Sequence, residues 1–155
     1  MRGKRAKKRT IAKDRKYNDE LIGRLINKVM QGGKKSIAES IVYTAIETGS
    51  QKSKTPVIEF VHTAVDNVRP ALEIRSRRVG GANYQIPVPV NPKRQETLAI
   101  RWLVDSARSK SGKSFEELLG IEVLDAFNGE GDAIKKKSDV ERMAEANKAF
   151  AHFRW

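Results

Sequence analysis

The hydrophobic period changes once along this sequence, and that change limits the fold more than any other feature. Around Leu72 apolar residues begin to recur at every second position. Leu72 and Ile74 alternate with Glu73 and Arg75, and Tyr84, Ile86, Val88 and Val90 alternate with Gln85, Pro87 and Pro89. Gly80-Gly81 lies between the two runs, where a two-residue turn needs left-handed backbone. The spacing predicts a β-hairpin over about 72–90. No third strand is visible elsewhere, and two strands alone are marginal in water. Pro87 and Pro89 lack a ladder N–H and fit only an unpaired strand edge. The hairpin is therefore expected to be an arm, held at its base by helices and completed at its tip by a partner.

Everything outside that segment and the first residues has helical spacing. Leu21, Ile22, Leu25, Ile26, Val29 and Met30 mark a first helix, with Asn18 or Asp19 available as N-cap and Gly32-Gly33 as its stop. Ile37, Ile41, Val42, Ala45 and Ile46 mark a second. Pro56 opens a third at the first helical position, with Val57, Phe60, Val61, Ala64, Val65 and Val68 as its stripe and Arg69-Pro70 as its end. Pro92 starts a fourth through Leu98, Trp102, Leu103, Val104 and Ala107, and a fifth runs through Phe115, Leu118, Leu119 and Val123 to Gly129-Glu130-Gly131. A last helix is expected from about Asp132 to near Phe150, with Ile134, Val140, Met143, Ala144 and Asn147 as a weaker stripe. The fold class is mainly α: about a six-helix bundle with a protruding two-stranded β-hairpin arm and a basic extended N-terminal tail. The expected organisation is an arm over residues 1–16, disordered until bound, and a single helical domain over 17–155.

Charge points to the partner. The chain has 31 Lys and Arg against 19 Asp and Glu, a net +12. Residues 1–16 hold nine basic side chains against Asp14, and residues 69–101 hold seven against Glu73 and Glu96. The remainder is nearly neutral, so the surplus belongs to two segments. Concentrated charge of one sign implies a polyanion: nucleic acid or an acidic membrane surface. A membrane arm needs an apolar anchor face, and residues 1–16 offer only Ile11 and scattered alanines. No apolar run approaches the ~18 residues that span a bilayer, and no signal-peptide core follows the basic start. A soluble, reducing compartment is expected.

Catalytic readings find little support. Zero cysteines exclude disulfides, cysteine-ligated metals and thiol nucleophiles. His62 and His152 have no neighbouring ligand pattern, so no metal or other cofactor is implied. Ala107 to Ser114 (ARSKSGKS) loosely matches a phosphate-binding loop, but that loop must follow a buried strand, and residues 96–107 read as an amphipathic helix. Arg108, Lys110 and Lys113 are better read as contacts to backbone phosphates. Lys34, Lys35 and Ser36 sit at a helix start, where two ammonium groups and free N–H donors suit another phosphate. On the hairpin, Arg75 and Arg77 share a face, Arg78 stands next to the turn, Gly80 and Gly81 permit close backbone approach, and Tyr84 offers a ring to a base.

Five stretches carry a resemblance to a known family: SRRVGGANYQIPVPV (76–90), LAIRWLVDSARSK (98–110), NKVMQGGKKSIAESIVY (27–43), FVHTAVDNVRPALEIRSRRVGG (60–81) and MAEANKAFAHFRW (143–155). Together they resemble the seventh-protein family of the small ribosomal subunit, of bacterial and organellar type, nearly from end to end. The resemblance implies a structural ribosomal protein, not an enzyme. It would bind the 3′ major domain of 16S-type small-subunit rRNA directly, nucleate head assembly, lie near the exit-site tRNA, and contact small-subunit proteins nine and eleven. It implies no homo-oligomer and no membrane, and it places the chain in cytoplasmic ribosomes, or in an organelle matrix for an organelle-encoded chain. On this basis rRNA contact is carried to Arg2, Lys4, Arg5, Lys7, Lys8 and Arg9 of the arm, to Lys34, Lys35, Arg75, Arg77 and Arg78, and to Arg94, Arg101 and Arg108; Lys110 and Lys113 join them from the phosphate reading. Contact with tRNA or a neighbouring protein is carried to Arg142, Asn147 and Lys148, beside Arg78, Gly80, Gly81 and Tyr84 of the hairpin. The rival reading is an architectural DNA-binding protein with a β-ribbon arm, which kinks DNA with apolar wedges at the ribbon tip.

Overall fold

The computed structural model describes residues 3, 6 and 11–153. Along these the order is α1 (Glu20–Val29), α2 (Lys35–Ser53), α3 (Val57–Val68), β1 (Leu72–Val79), β2 (Ala82–Pro89), α4 (Pro92–Ser109), α5 (Phe115–Phe127), α6 (Asp132–Ala146) and a 3-10 helix (Lys148–Phe153). The mainly helical architecture with one hairpin is the one expected. The calls on Arg2, Lys4, Arg5, Lys7, Lys8 and Arg9 lie outside the described residues.

Local chemistry sets the helix starts. Of the two candidate caps for α1, Asp19 is the one used: its carboxylate accepts from the Ile22 N–H at 2.9 Å. Asn91 caps α4 through the Arg94 N–H at 2.9 Å, with Pro92 at the first helical position. Pro56 falls one residue before α3 rather than inside it, and its carbonyl accepts the first turn's bond from Phe60 at 2.9 Å.

Helix α5 lies at the centre, packed on α2, α3, α4 and α6. Phe60, Ile22, Leu25, Ile46, Leu103 and Leu119 are the large side chains of a core that joins α1 through α5. Gly49 of α2 is required there. A Cβ at that position would stand 2.6 Å from the Phe60 ring, which is fully buried, so the packing would have to shift to admit it.

Two stripes read from the sequence are corrected. Ile37 was expected in the core face of α2 but is 55% exposed, because the buried arc runs through Ala38, Val42, Ala45, Ile46 and Gly49. In α6 the buried residues are the small Ala133 and Ala144, while Met143 is exposed. That helix also ends at Ala146 rather than near Phe150. The N–H and side-chain amide of Asn147 both donate to the Met143 carbonyl, closing the last turn, and a 3-10 helix follows.

The hairpin register runs from Leu72 opposite Pro89 to Val79 opposite Ala82. The Val90 N–H donates to the Ala71 carbonyl at 3.0 Å, and the two-residue period then directs positions 87 and 89 away from β1, where a missing N–H costs nothing. Gly80 and Gly81 have φ of 59° and 90°, the backbone a primed turn demands. At the other end Ile86 and Pro87 are buried, α6 and the 3-10 helix pack on the sheet, and the Ala71 N–H donates to Glu141 at 3.0 Å.

Residues at the root of the N-terminal arm are tied down. Asp14 is buried and accepts from the N–H groups of Lys16 (3.0 Å), Tyr17 (2.7 Å) and Asp19 (2.7 Å) and from the Tyr43 hydroxyl (3.2 Å). Lys16 pairs with Glu47, which also accepts from the Tyr17 hydroxyl at 2.6 Å. The Lys16 hydrogen bond, then that of Tyr17, holds the Glu47 carboxyl below its usual range, while burial and Glu47 push the Tyr17 phenol up.

Candidate nucleic-acid interface

Most of the cations singled out in the sequence among the described residues fall into three groups. The first is the hairpin and its base. Cross-strand pairing puts Arg75 and Arg77 on one face with Ile86 and Tyr84, and Arg78 on the other with Asn83. Buried Glu73 accepts from Arg75 Nε and Nη2 at 2.8 and 2.6 Å, and from Arg94 Nε at 3.3 Å. Burial opposes ionisation of Glu73, but the two arginines outweigh it and hold its carboxyl below the ordinary value. Arg75 and Arg94 therefore share one buried counter-ion, while their side chains remain 59% and 42% exposed. The pairing fixes two guanidinium groups at the hairpin base around the acid that the sequence count already set against them.

Tyr84 is not the open stacking platform expected of it. Its ring is covered by Phe150 at 5.2 Å and Phe153 at 5.1 Å between centroids, so the C-terminal 3-10 helix is docked against β2. Asn147, assigned to partner contact, spends its side-chain amide on capping α6. Arg142 and Lys148 pair with Asp139 and Glu145 within one turn and stay highly exposed. The hairpin and the C-terminal segment thus form one end of the molecule.

The second group lines α4. Arg94, Arg101 and Arg108 recur every seven residues, which keeps them on one side of the helix with a drift of only about 20° per heptad. Arg101 is exposed and has no acidic partner among the described residues. It borders a cleft of about 440 Å³ with Trp102, Lys135 and Lys136, in which Asp105, Asp132 and Asp139 also take part. Lys137 of the same lysine run turns inward and donates to the Asn67 carbonyl at 2.8 Å.

The third group surrounds a groove of about 580 Å³ between the end of α1, the start of α2 and the α4–α5 junction. Lys34 and Arg108, 74 positions apart, both line it. Arg108 Nη2 donates to the Val29 carbonyl at 3.0 Å, and its guanidinium lies 5.9 Å from the Phe115 ring centroid. Lys34 is exposed without an acidic partner among the described residues, and Lys35 pairs loosely with Glu39 at 3.8 Å. The segment before residues 107–114 is helix α4, and Ser114 caps α5, so the loose phosphate-loop match is a helix–helix junction.

Lys110 does not belong with these. Its ammonium pairs with Glu122, which is 0% exposed, and lies 3.5 Å from Asp132. The other Glu122 oxygen accepts from the Ala133 N–H at 2.8 Å. Burial favours the neutral amine, but the hydrogen bond and charge of Glu122 outweigh it and raise Lys110 above an ordinary lysine. The pairing joins the α4–α5 junction to the start of α6 as a latch, with the Lys110 charge engaged by Glu122 and Asp132. Lys113, by contrast, is exposed with no acidic partner among the described residues.

Sequence reasoning missed Gln31, Ile37 and Phe115 as neighbours of Lys34 and Arg108. Ile37 carried a signal: it falls one position outside the arc that starts at Ala38. It also missed the pairing of His62 with Asp19 at 2.9 Å. Burial works against the Asp19 charge, but His62 and the Ile22 N–H hold its carboxyl below the usual value.

Comparison with known proteins adds an independent finding. The family model described as ribosomal protein S7p/S5e matches residues 1–148. Small ribosomal subunit protein uS7 of Thermosipho africanus is 57% identical over 155 residues, covering all of both chains. Its counterpart in Kosmotoga olearia is 56% identical, again over the full length of both, and that of Rhodobacter capsulatus is 50% identical over 97% of this chain and 96% of its own.

Proposed function

The chain belongs to the ribosomal protein S7p/S5e family, a family of structural, non-enzymatic components, and on that premise we propose that it binds small-subunit rRNA directly, as a primary binder of the 3′ major domain that nucleates head assembly. One observation carries the reading. The chain carries a net +12; of its acids Asp14, Glu73 and Glu122 are buried and Asp19, Glu47 and Glu96 paired, whereas the predicted contact residues Lys34, Arg101 and Lys113 are exposed without acidic partners among the described residues. Such a surface attracts phosphate and gains affinity by counterion release. Specificity then comes from RNA shape and unpaired bases, since side chains cannot enter the deep groove of an A-form helix.

The basic segment of residues 1–16 extends the contact between RNA helices. The hairpin and the C-terminal segment, which pack together through Tyr84, Phe150 and Phe153, form the end that approaches the exit-site tRNA. Small-subunit proteins nine and eleven are its protein neighbours, and the cytoplasmic ribosome is where it works. No helix among the described residues is long and apolar enough to cross a membrane.

An architectural DNA-binding role fits less well. The turn of the ribbon is Gly80-Gly81, Pro87 is buried near its base, and Pro89 pairs with Leu72 at the far end. Neither proline is placed as a wedge. Competition between duplex DNA and a 3′-domain rRNA fragment tests this. RNA should displace the DNA at equal phosphate concentration, and preference for the duplex DNA would overturn the proposal.

A further inference from the structure

We propose that Asp14, Gly23 and Ile11 are positioning residues: they fix where the basic arm leaves the body, at the seam of α1 and α4 beside Arg101. This rests on the RNA-binding reading above and adds how the arm and the helical body engage one RNA together. Charge and burial are at odds at the arm's root. Residues 1–16 carry nine cations and a single acid, Asp14, and that acid is turned inward, 6% exposed. Both of its carboxylate oxygens are engaged. One accepts from the Asp19 N–H, and the other from the N–H groups of Lys16 and Tyr17 and from the Tyr43 hydroxyl of α2. The backbone closes the same loop in the opposite direction, with the Asp14 N–H donating to the Asp19 carbonyl at 3.1 Å. Asp19 in turn caps α1. Lys16 pairs with Glu47 of α2 and lies 5.6 Å from the ring centroids of both Tyr17 and Tyr43. The root is therefore joined to α1 and α2 at once.

Two further contacts give the root a direction. Gly23 is buried in α1, and a Cβ there would stand 2.8 Å from the Ala12 carbonyl oxygen and 3.4 Å from the Asp14 nitrogen. The chain thus lies directly on α1, in a seat that only a glycine leaves open. Gly23 has ordinary helical backbone, so no turn requires it, and it lowers the helix propensity of α1 relative to alanine. The close approach is what it serves. Ile11 then borders a cleft of about 250 Å³ with Arg24 and Lys28 of α1 and Ile100 and Arg101 of α4. Arg24 and Lys28 pair with acids, whereas Arg101 is exposed without one among the described residues. The ten residues before Ile11 hold six cations and reach at most about 35 Å. Their point of departure therefore decides which phosphates they can share with Arg101. A tether anchored at a defined place adds affinity through effective concentration, and one whose anchor swings adds less.

The test uses the full chain and a chain lacking residues 2–9, each bound to a 3′-domain rRNA fragment. Gly23→Ala favours the helix while displacing the Ala12 backbone, and Ile11→Ser changes only a side chain that is 38% exposed. Thermal melts followed by circular dichroism verify that each variant is folded at the assay temperature. In the full chain each substitution should weaken binding at least about fivefold, a small part of the ~10²–10⁴ that a well-placed tether contributes. Each should also move the salt slope toward that of the truncated chain. In the truncated chain the same substitutions should change affinity by less than about twofold. A substitution that only loosens a still-folded body would move neither the slope nor this cycle. The chain has no cysteine, so Gly3→Cys can carry an iron chelate that cuts nearby RNA. Its cuts should cluster at few nucleotides, and spread or vanish when Gly23→Ala is added. Should Gly23→Ala fail to fold, the Ile11→Ser cycle decides alone. If the folded variants bind as the wild type does, or weaken the truncated chain as much as the full one, these residues do not position the arm, although rRNA binding itself stands. A wild-type chain that binds no rRNA overturns both.

Discussion

Replacing Lys110 by Met separates a structural role from an RNA-binding one at a position where sequence alone suggested phosphate contact. Its partner Glu122 is 0% exposed and holds two contacts, one to the Lys110 ammonium and one to the Ala133 N–H at 2.8 Å. Removing one member of a fully buried pair costs about 3–5 kcal/mol, because the remaining charge is left uncompensated. Lys110 is 26% exposed, so water can reach the vacated position, and the lower end, about 3 kcal/mol, is expected. For a chain of this length that lowers the melting temperature by about 6–12 °C. The measurement is thermal unfolding followed by circular dichroism, with a double-mutant cycle against Glu122→Gln. Gln keeps an acceptor for Ala133 and carries no charge, so in that background Lys110→Met should cost under about 1 kcal/mol. The affinity for 3′-domain rRNA of the folded variant should keep its wild-type salt slope. A variant that melts with the wild type but loses one unit of salt slope would refute the latch and restore Lys110 to the RNA surface.

Three further outcomes follow from the packing and the ion pairs. Gly49→Ala should destabilise the fold by about 1–3 kcal/mol, because the new methyl meets the buried Phe60 ring; equal denaturation midpoints in urea would contradict that packing. Asp14→Ala should cost a similar amount, about 1–3 kcal/mol, by leaving three N–H groups without their acceptor, whereas deletion of residues 2–9 should leave the melting temperature unchanged. Acid should destabilise the protein: Asp19, Glu47 and Glu73 titrate below their unfolded values of 3.8, 4.5 and 4.5. Their stabilisation is complete above those values and lost as pH falls through the lowered folded ones. A melting temperature constant from pH 6 to pH 3 would contradict the pairing.

Legibility in the sequence followed the length scale of the interactions. The hairpin was readable because a two-residue period, a Gly-Gly turn and two prolines on one edge are local signals. The helices were readable where the stripe was made of large residues, as in α1 and α3. In α6 the contact is made by Ala133 and Ala144, whose small side chains carry little periodic signal, and its end depends on Asn147 capping the Met143 carbonyl. The basic side chains were visible as charges but not as geometry. Nothing local distinguishes Lys110, bound to a glutamate twelve residues away, from Lys113, which is exposed. Likewise Lys34 and Arg108 meet around one groove only because α1, α2 and α4 pack together, and that proximity has no counterpart in sequence spacing.

Salt dependence of rRNA binding tests the central claim most directly. Affinity of the full chain for a 3′-domain rRNA fragment should fall linearly on a log–log plot, with a slope of about −7 if ~8 phosphates are engaged on a duplex and somewhat less on structured RNA. Deleting residues 2–9, which removes six cations, should make that slope shallower while the remaining surface still binds. A full chain whose affinity for this RNA hardly changes with salt, or a truncated chain with an unaltered slope, would contradict the account.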